Sequence, residues 1–198
     1  MVDRYEVRLS GFGGQGLILI GIILAEAVGL YEGKNVVQTQ SYGPEARGGA
    51  SRSEVVISDG EIDYPKPMKL DLLLAMNQQS LDLYSRDLKE GGIVVVDSTY
   101  CHQVTIPRAI KIPFTRIARE KLGREIVANI IALGAICEIT GLVKEENLKK
   151  AVLDRIPKGT EELNVKALEI GMKLGKRAKE ELVKKGEDDY IVVEATEV

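Results

Sequence analysis

Gly11-Phe12-Gly13-Gly14-Gln15-Gly16 lies between a strand-like opening, Tyr5 to Ser10, and the apolar run Leu17 to Leu30. Its spacing and context match the dinucleotide fingerprint G-x-G-x-x-G, which requires a strand, a glycine turn and a helix in that order. Gly11 permits a tight turn, Gly13 lets backbone approach a phosphate, and Gly16 lets the helix pack close on the strand. The helix N-terminus offers unpaired N–H groups to an anion, so Gly11, Gly13, Gly14, Gln15 and Gly16 together form a candidate phosphate cradle. The fingerprint also requires an acidic residue at the end of the second strand, about 20 residues on, to hold a ribose 2′-hydroxyl. Here that stretch reads Asn35-Val36-Val37-Gln38-Thr39-Gln40-Ser41, without a carboxylate, and Glu32 precedes it at the wrong end. The turn therefore argues for a fold more strongly than for a nicotinamide cofactor.

Outward from the turn, strand-type stretches recur at Glu6 to Ser10, Val36 to Ser41, Ser53 to Ile57, Leu70 to Met76, Ile93 to Asp97 and Ala109 to Ile112. Helical patterns separate several of them: one follows the glycine turn, and another runs from Asn77 to Lys89 and stops at Gly91-Gly92. Such alternation means parallel strands with crossover helices. Asp59-Gly60, after Val55-Val56-Ile57, is a hairpin signal and predicts a local antiparallel excursion. After Pro113 the pattern turns helical, over Phe114 to Leu122, Ile126 to Thr140, Lys144 to Arg155 and Glu161 to Lys185, the last with Thr160 as its N-cap. The predicted class is α/β: a Rossmann-like, mostly parallel sheet with flanking helices, a short antiparallel excursion and a helical C-terminal part. Residues 1–198 read as a single domain, with a sheet core over about 1–112, a helical part over about 113–185, and a tail at 186–198 in which Tyr190 to Val193 either adds an edge strand or is simply flexible.

With 198 residues, 44% of them hydrophobic, the chain is long enough for one well-buried core. A net charge of −3 with interspersed signs provides no field for nucleic acid or an anionic membrane. Met1 to Arg8 alternates charged with apolar residues, unlike a secretory leader, and the apolar runs Leu17 to Leu30 and Ile126 to Leu142 are too short and too interrupted to span a bilayer. A cytoplasmic location is expected. Cys101 and Cys137 are the only cysteines and His102 is the only histidine, so the chain has neither an iron–sulfur cluster motif nor a histidine-based metal site.

The second candidate loop, Ser41-Tyr42-Gly43-Pro44-Glu45-Ala46-Arg47-Gly48-Gly49-Ala50-Ser51-Arg52, starts at the carboxyl edge of the sheet, where open α/β sheets bind ligands. Arg47, with Tyr42 and Gly48, is the stronger candidate there for a phosphate or carboxylate. Asp97 ends a strand at the same edge, either to bind ligand or to cap the following backbone. Asn129, within an apolar helix, needs a partner and fits a structural amide better than a ligand contact, and Asn77 fits a helix cap. No nucleophile, base and acid set emerges.

The glycine turn joined to Ser41-Tyr42-Gly43-Pro44-Glu45-Ala46-Arg47-Gly48-Gly49, with Asp71 to Ala75 and Gly91-Gly92 to Asp97, resembles the gamma subunit of 2-oxoacid:ferredoxin oxidoreductases over about Tyr5 to Lys179. Phe12 and Glu45-Ala46-Arg47-Gly48-Gly49-Ala50-Ser51 are similar to the 2-oxoglutarate type, since pyruvate-type chains usually carry a second arginine where Ala46 stands. The resemblance implies oxidative decarboxylation of a 2-oxo acid, with electrons passing to an external ferredoxin and the acyl group to coenzyme A. It also implies that thiamine diphosphate and iron–sulfur clusters reside in alpha, beta and ferredoxin-like partner subunits, and that this chain completes the assembly and helps accommodate coenzyme A. A purely structural subunit and a stand-alone dinucleotide-binding protein are the competing readings.

Overall fold

A computed structural model describes residues 4–42, 50–184 and 190–194. Seven strands form one sheet: β1 (Tyr5–Phe12), β2 (Asn35–Tyr42), β3 (Ala50–Ser58), β4 (Leu70–Ala75), β5 (Leu88–Asp97), β6 (Ile110–Ile112) and β7 (Ile191–Val192). Their order is β2-β3-β1-β4-β5-β6-β7, and only β3 runs antiparallel to its neighbours. The antiparallel component is thus present, but not where Asp59-Gly60 suggested. It arises from the 43–49 connection between β2 and β3, whereas after Ser58 the chain crosses β1 to reach β4. Asp59 and Gly60 are held locally instead, by Lys34 to the Asp59 carboxylate at 3.4 Å and by Gly60 N–H donating to Ser58 Oγ at 3.0 Å.

The central strands are continuous apolar runs because both faces are covered. Leu72 and Leu74 face one layer, and Leu73 and Ala75 the other. Helix α1 (Leu17–Glu26) is apolar around most of its circumference, LILIGIILAE, as befits a helix held between the sheet and other helices. Burial of Ile20, Ile23 and Leu24 contributes about 1.5–3 kcal/mol each. Its close approach to the sheet is made at Gly21, where a Cβ would stand 1.9 Å from Ser53 Oγ on β3. Gly16 does not make that approach, contrary to the sequence expectation.

Helix α2 (Gln78–Tyr84) is shorter than its pattern suggested. β5 already begins at Leu88, and Gly91, at φ 74°, sits in an irregularity that pairs Leu70 with Leu88 but Leu72 with Ile93. The Gly-Gly pair therefore bulges a strand rather than ending a helix. Helices α3 (Phe114–Leu122), α4 (Ala128–Thr140), α5 (Glu145–Arg155) and α6 (Glu161–Lys184) follow, close to their predicted bounds. α4 and α6 meet backbone to backbone: a Cβ on Gly171 would stand 2.1 Å from the Ile131 carbonyl oxygen, and one on Gly175 2.6 Å from that of Ala135. These helices share one hydrophobic cluster with α1 and the sheet, and of the two readings of the tail the structure has the edge strand, β7.

Candidate functional site

β1 delivers the glycine turn to the carboxyl edge. The Gln15 N–H donates to the Phe12 carbonyl at 3.2 Å, and Gln15 Oε1 accepts from the Phe12 N–H at 2.7 Å, so Gln15 fastens its own turn. Gly11 leaves room for that amide, since a Cβ there would lie 2.3 Å from Gln15 Oε1 and 2.9 Å from Met76 Cβ. Gly16, at φ 73°, caps α1 and receives Asn129 of α4, whose Nδ2 donates to its carbonyl at 3.3 Å. Asn129 thus takes the structural of its two readings, with the Gly16 carbonyl as its partner. Gly13 and Gly14 are exposed, and Gly14, at φ 95°, has open space where a Cβ would point. Of the five cradle residues, these two present backbone outward.

Beside the turn lies a cleft of about 290 Å³. Phe12, 38% exposed, meets Tyr100 edge to face, with ring centroids 6.3 Å apart and planes at 78°. Met76 and Ile126 extend this apolar lining, and Glu125, paired with Arg119 at 2.6 Å, supplies a carboxylate at its margin. Tyr100 and Ile126 carried no sequence signal for this role, because they reach the cleft from the segment after β5 and from the turn before α4. Tyr42 closes β2 opposite Ser51, and the Phe12–Ala50 pairing places the start of β3 against the end of β1. The 43–49 connection, with Arg47 and Gly48, lies outside the described residues; of the residues at its ends, Ala50 pairs with Phe12 at the glycine turn, and Tyr42 lies one strand further out.

Asp97 serves as a cap. It is fully buried, accepts from Thr99 N–H at 3.0 Å and from Thr115 N–H at 3.2 Å, and receives the Thr115 hydroxyl at 2.5 Å. Burial nonetheless holds its carboxyl above the usual range. Asn77 caps α2 as expected, accepting from Ser80 N–H at 2.8 Å. Glu32 has a role remote from any ribose: it accepts from Lys144 N–H at 2.8 Å and from Asn147 Nδ2 at 2.9 Å at the start of α5. In this sheet β3 separates β1 from β2, so the second strand could not bring an acid beside the turn as the fingerprint requires. Cys101 and Cys137 are buried, and burial pushes both thiols up to about 12. Among the described residues no group of three histidines, cysteines or carboxylates could hold a metal, and no helix is long and apolar enough to cross a membrane.

A glycine turn beside a small aromatic cleft at the carboxyl edge of a mostly parallel sheet, with the strand-end acid committed to capping, defines an α/β protein of Rossmann-like type. The family described as pyruvate ferredoxin/flavodoxin oxidoreductase matches residues 6–174, and the chain belongs to that family. It is 54% identical over 177 residues to 2-oxoglutarate synthase subunit KorC of Methanocaldococcus jannaschii, covering 87% of this chain and 95% of that one. The crystal structure of the keto/oxoacid ferredoxin oxidoreductase gamma subunit from Geobacter sulfurreducens superposes with a TM-score of 0.79 at 49% identity, over 89% of this chain and 97% of that one. A 2-oxoglutarate:ferredoxin oxidoreductase from Magnetococcus marinus, solved with 2-oxoglutarate, coenzyme A and succinyl-CoA bound, shares the fold. There the TM-score is 0.80 and the identity 23%, over 98% of this chain and 33% of the longer one.

Proposed function

We propose that this chain is the gamma subunit of a 2-oxoglutarate:ferredoxin oxidoreductase, an assembly that converts 2-oxoglutarate and coenzyme A to succinyl-CoA and carbon dioxide while reducing ferredoxin. The observation that carries this reading is the 54% identity, along nearly the whole length of both chains, to a 2-oxoglutarate synthase subunit. The chain's own equipment agrees with a non-autonomous role. Its two cysteines are single, buried and held as thiols, so they do not suit an iron–sulfur cluster, and that cofactor and thiamine diphosphate are assigned to alpha, beta and ferredoxin-like partners. No chemical step is routed through this chain. Its contribution is to complete the assembly and to hold coenzyme A, with Gly13 and Gly14 turning backbone toward a phosphate and Arg47 supplying a cation.

Co-expression with the candidate partner subunits, followed by assay of coenzyme A-dependent ferredoxin reduction, tests the proposal. The assembly oxidises 2-oxoglutarate in preference to pyruvate, and the isolated chain oxidises neither. Activity of the chain alone, or a preference for pyruvate, would overturn it.

A further inference from the structure

Holding coenzyme A leaves open which part of that long molecule meets the described cleft. At about 290 Å³ the cleft lies at the bottom of the range for ligand pockets, so it takes one segment and not the whole. Phe12, Met76, Tyr100 and Ile126 are a poor environment for phosphate, and Glu125 at the margin would repel one. An edge-to-face pair uses one face of one ring, so Phe12 and Tyr100 keep ring faces on which a planar group can stack. Glu125 gives one oxygen to Arg119, and its other oxygen can accept from an amine. An apolar cleft with aromatic faces and an acceptor at its rim suits a planar heteroaromatic ring bearing an amino group.

We propose that the cleft is an adenine subsite: the adenine of coenzyme A stacks on the ring face of Phe12, with Tyr100, set nearly perpendicular to Phe12, and Ile126 against its edges, and with its exocyclic amine directed to Glu125. The backbone of Gly14, in the wall of the cleft, and of the adjoining Gly13 then faces the phosphates. This proposal rests on the coenzyme A reading above.

The experiment uses the assembled enzyme with saturating 2-oxoglutarate and compares two acyl acceptors, coenzyme A and pantetheine, the latter lacking the nucleotide. Phe12→Ala raises the KM for coenzyme A roughly tenfold and leaves that for pantetheine unchanged, since a base stacked on an aromatic ring is worth about a decade. Ile126→Ala, at a side chain 61% exposed and therefore harmless to folding, raises the coenzyme A KM roughly threefold with the same selectivity. Equal rises for both acceptors would assign the cleft to the pantetheine arm and overturn the proposal, as would unchanged values in both variants. An unsubstituted assembly that turns over 2-oxoglutarate without using coenzyme A would instead defeat the reading on which it rests.

Discussion

The Nδ2 of Asn129 donates to the carbonyl of Gly16 and stands 2.3 Å from where a Cβ on Gly16 would lie. The carboxyl half of the chain thus presses directly on the turn in the amino half, and only glycine allows it. Gly16→Ala is expected to cost about 2–4 kcal/mol, the sum of a left-handed backbone penalty and overpacking. Adding Asn129→Ala should cost less than the two single changes together, because the clash is then gone. Denaturant midpoints of the four proteins measure this, and strict additivity would show that the contact is not the cause.

Gly171→Ala probes the second close approach. Its Cβ would be 2.1 Å from the Ile131 carbonyl oxygen, a backbone atom that cannot swing aside. We expect a loss of about 3 kcal/mol or more, visible as a fall in Tm. By contrast, Leu153→Ala, on the outer face of α5, should cost well under 1 kcal/mol. Similar Tm values for both variants would contradict the helix seam.

Asp97 predicts a pH dependence. Its folded pKa lies above the ordinary 3.8, chiefly through burial, so between those two values the folded chain holds a proton that the unfolded chain has released. The contribution to stability is fully present below the ordinary value and is lost as pH rises through the folded one. Asp97→Asn removes this slope. Denaturant unfolding of both proteins between about pH 3.5 and 7 tests it, and parallel curves would remove Asp97 from the account.

Cys101 and Cys137, both buried and pushed up to about 12, should resist alkylation in the native protein at pH 8 and react within minutes once it is unfolded. Mass spectrometry after timed iodoacetamide exposure counts the modified thiols. Rapid native labelling of either one would contradict its burial.

Arg47→Ala, in a complex that still assembles, should raise the coenzyme A requirement roughly tenfold and spare that for the 2-oxo acid, since an arginine–phosphate hydrogen bond contributes about 1.5–3 kcal/mol. Unchanged KM values with easier subunit dissociation would make it an interface residue.

Local patterns announced most of the architecture. Alternation and apolar runs located β1 to β4 and β6 within a few residues, whereas β5 starts at Leu88, within the stretch read as helix, and the helices from Phe114 onward followed their apolar stripes and stop signals. The pattern misled where a residue's local chemistry permits two outcomes and the tertiary fold chooses. A Gly-Gly pair can end a helix or bulge a strand, and pairing with Leu70 and Leu72 selected the bulge. Asp59-Gly60 could turn a hairpin, but the neighbour β1 lacked was supplied by β3 returning from 43–49. The glycine turn was legible as a motif, but the division of labour within it was not, because Gln15 and Gly16 answer to Phe12 and Asn129. Tyr100 and Ile126 are ordinary in sequence and become cleft residues only through the packing of distant elements.

The backbone contact between α4 and α6 has a consequence for how this protein could be cut or rebuilt. Ile126 and Glu125 sit just ahead of α4, which Gly171 and Gly175 hold rigidly to a helix of 24 residues. A fragment ending near residue 113 would keep the fingerprint yet present an open shelf, with one side of its recess gone. Transplanting the glycine loop alone into another scaffold would fail in the same way, because the recess is bounded jointly by the loop and by segments some sixty to more than a hundred residues further along the chain.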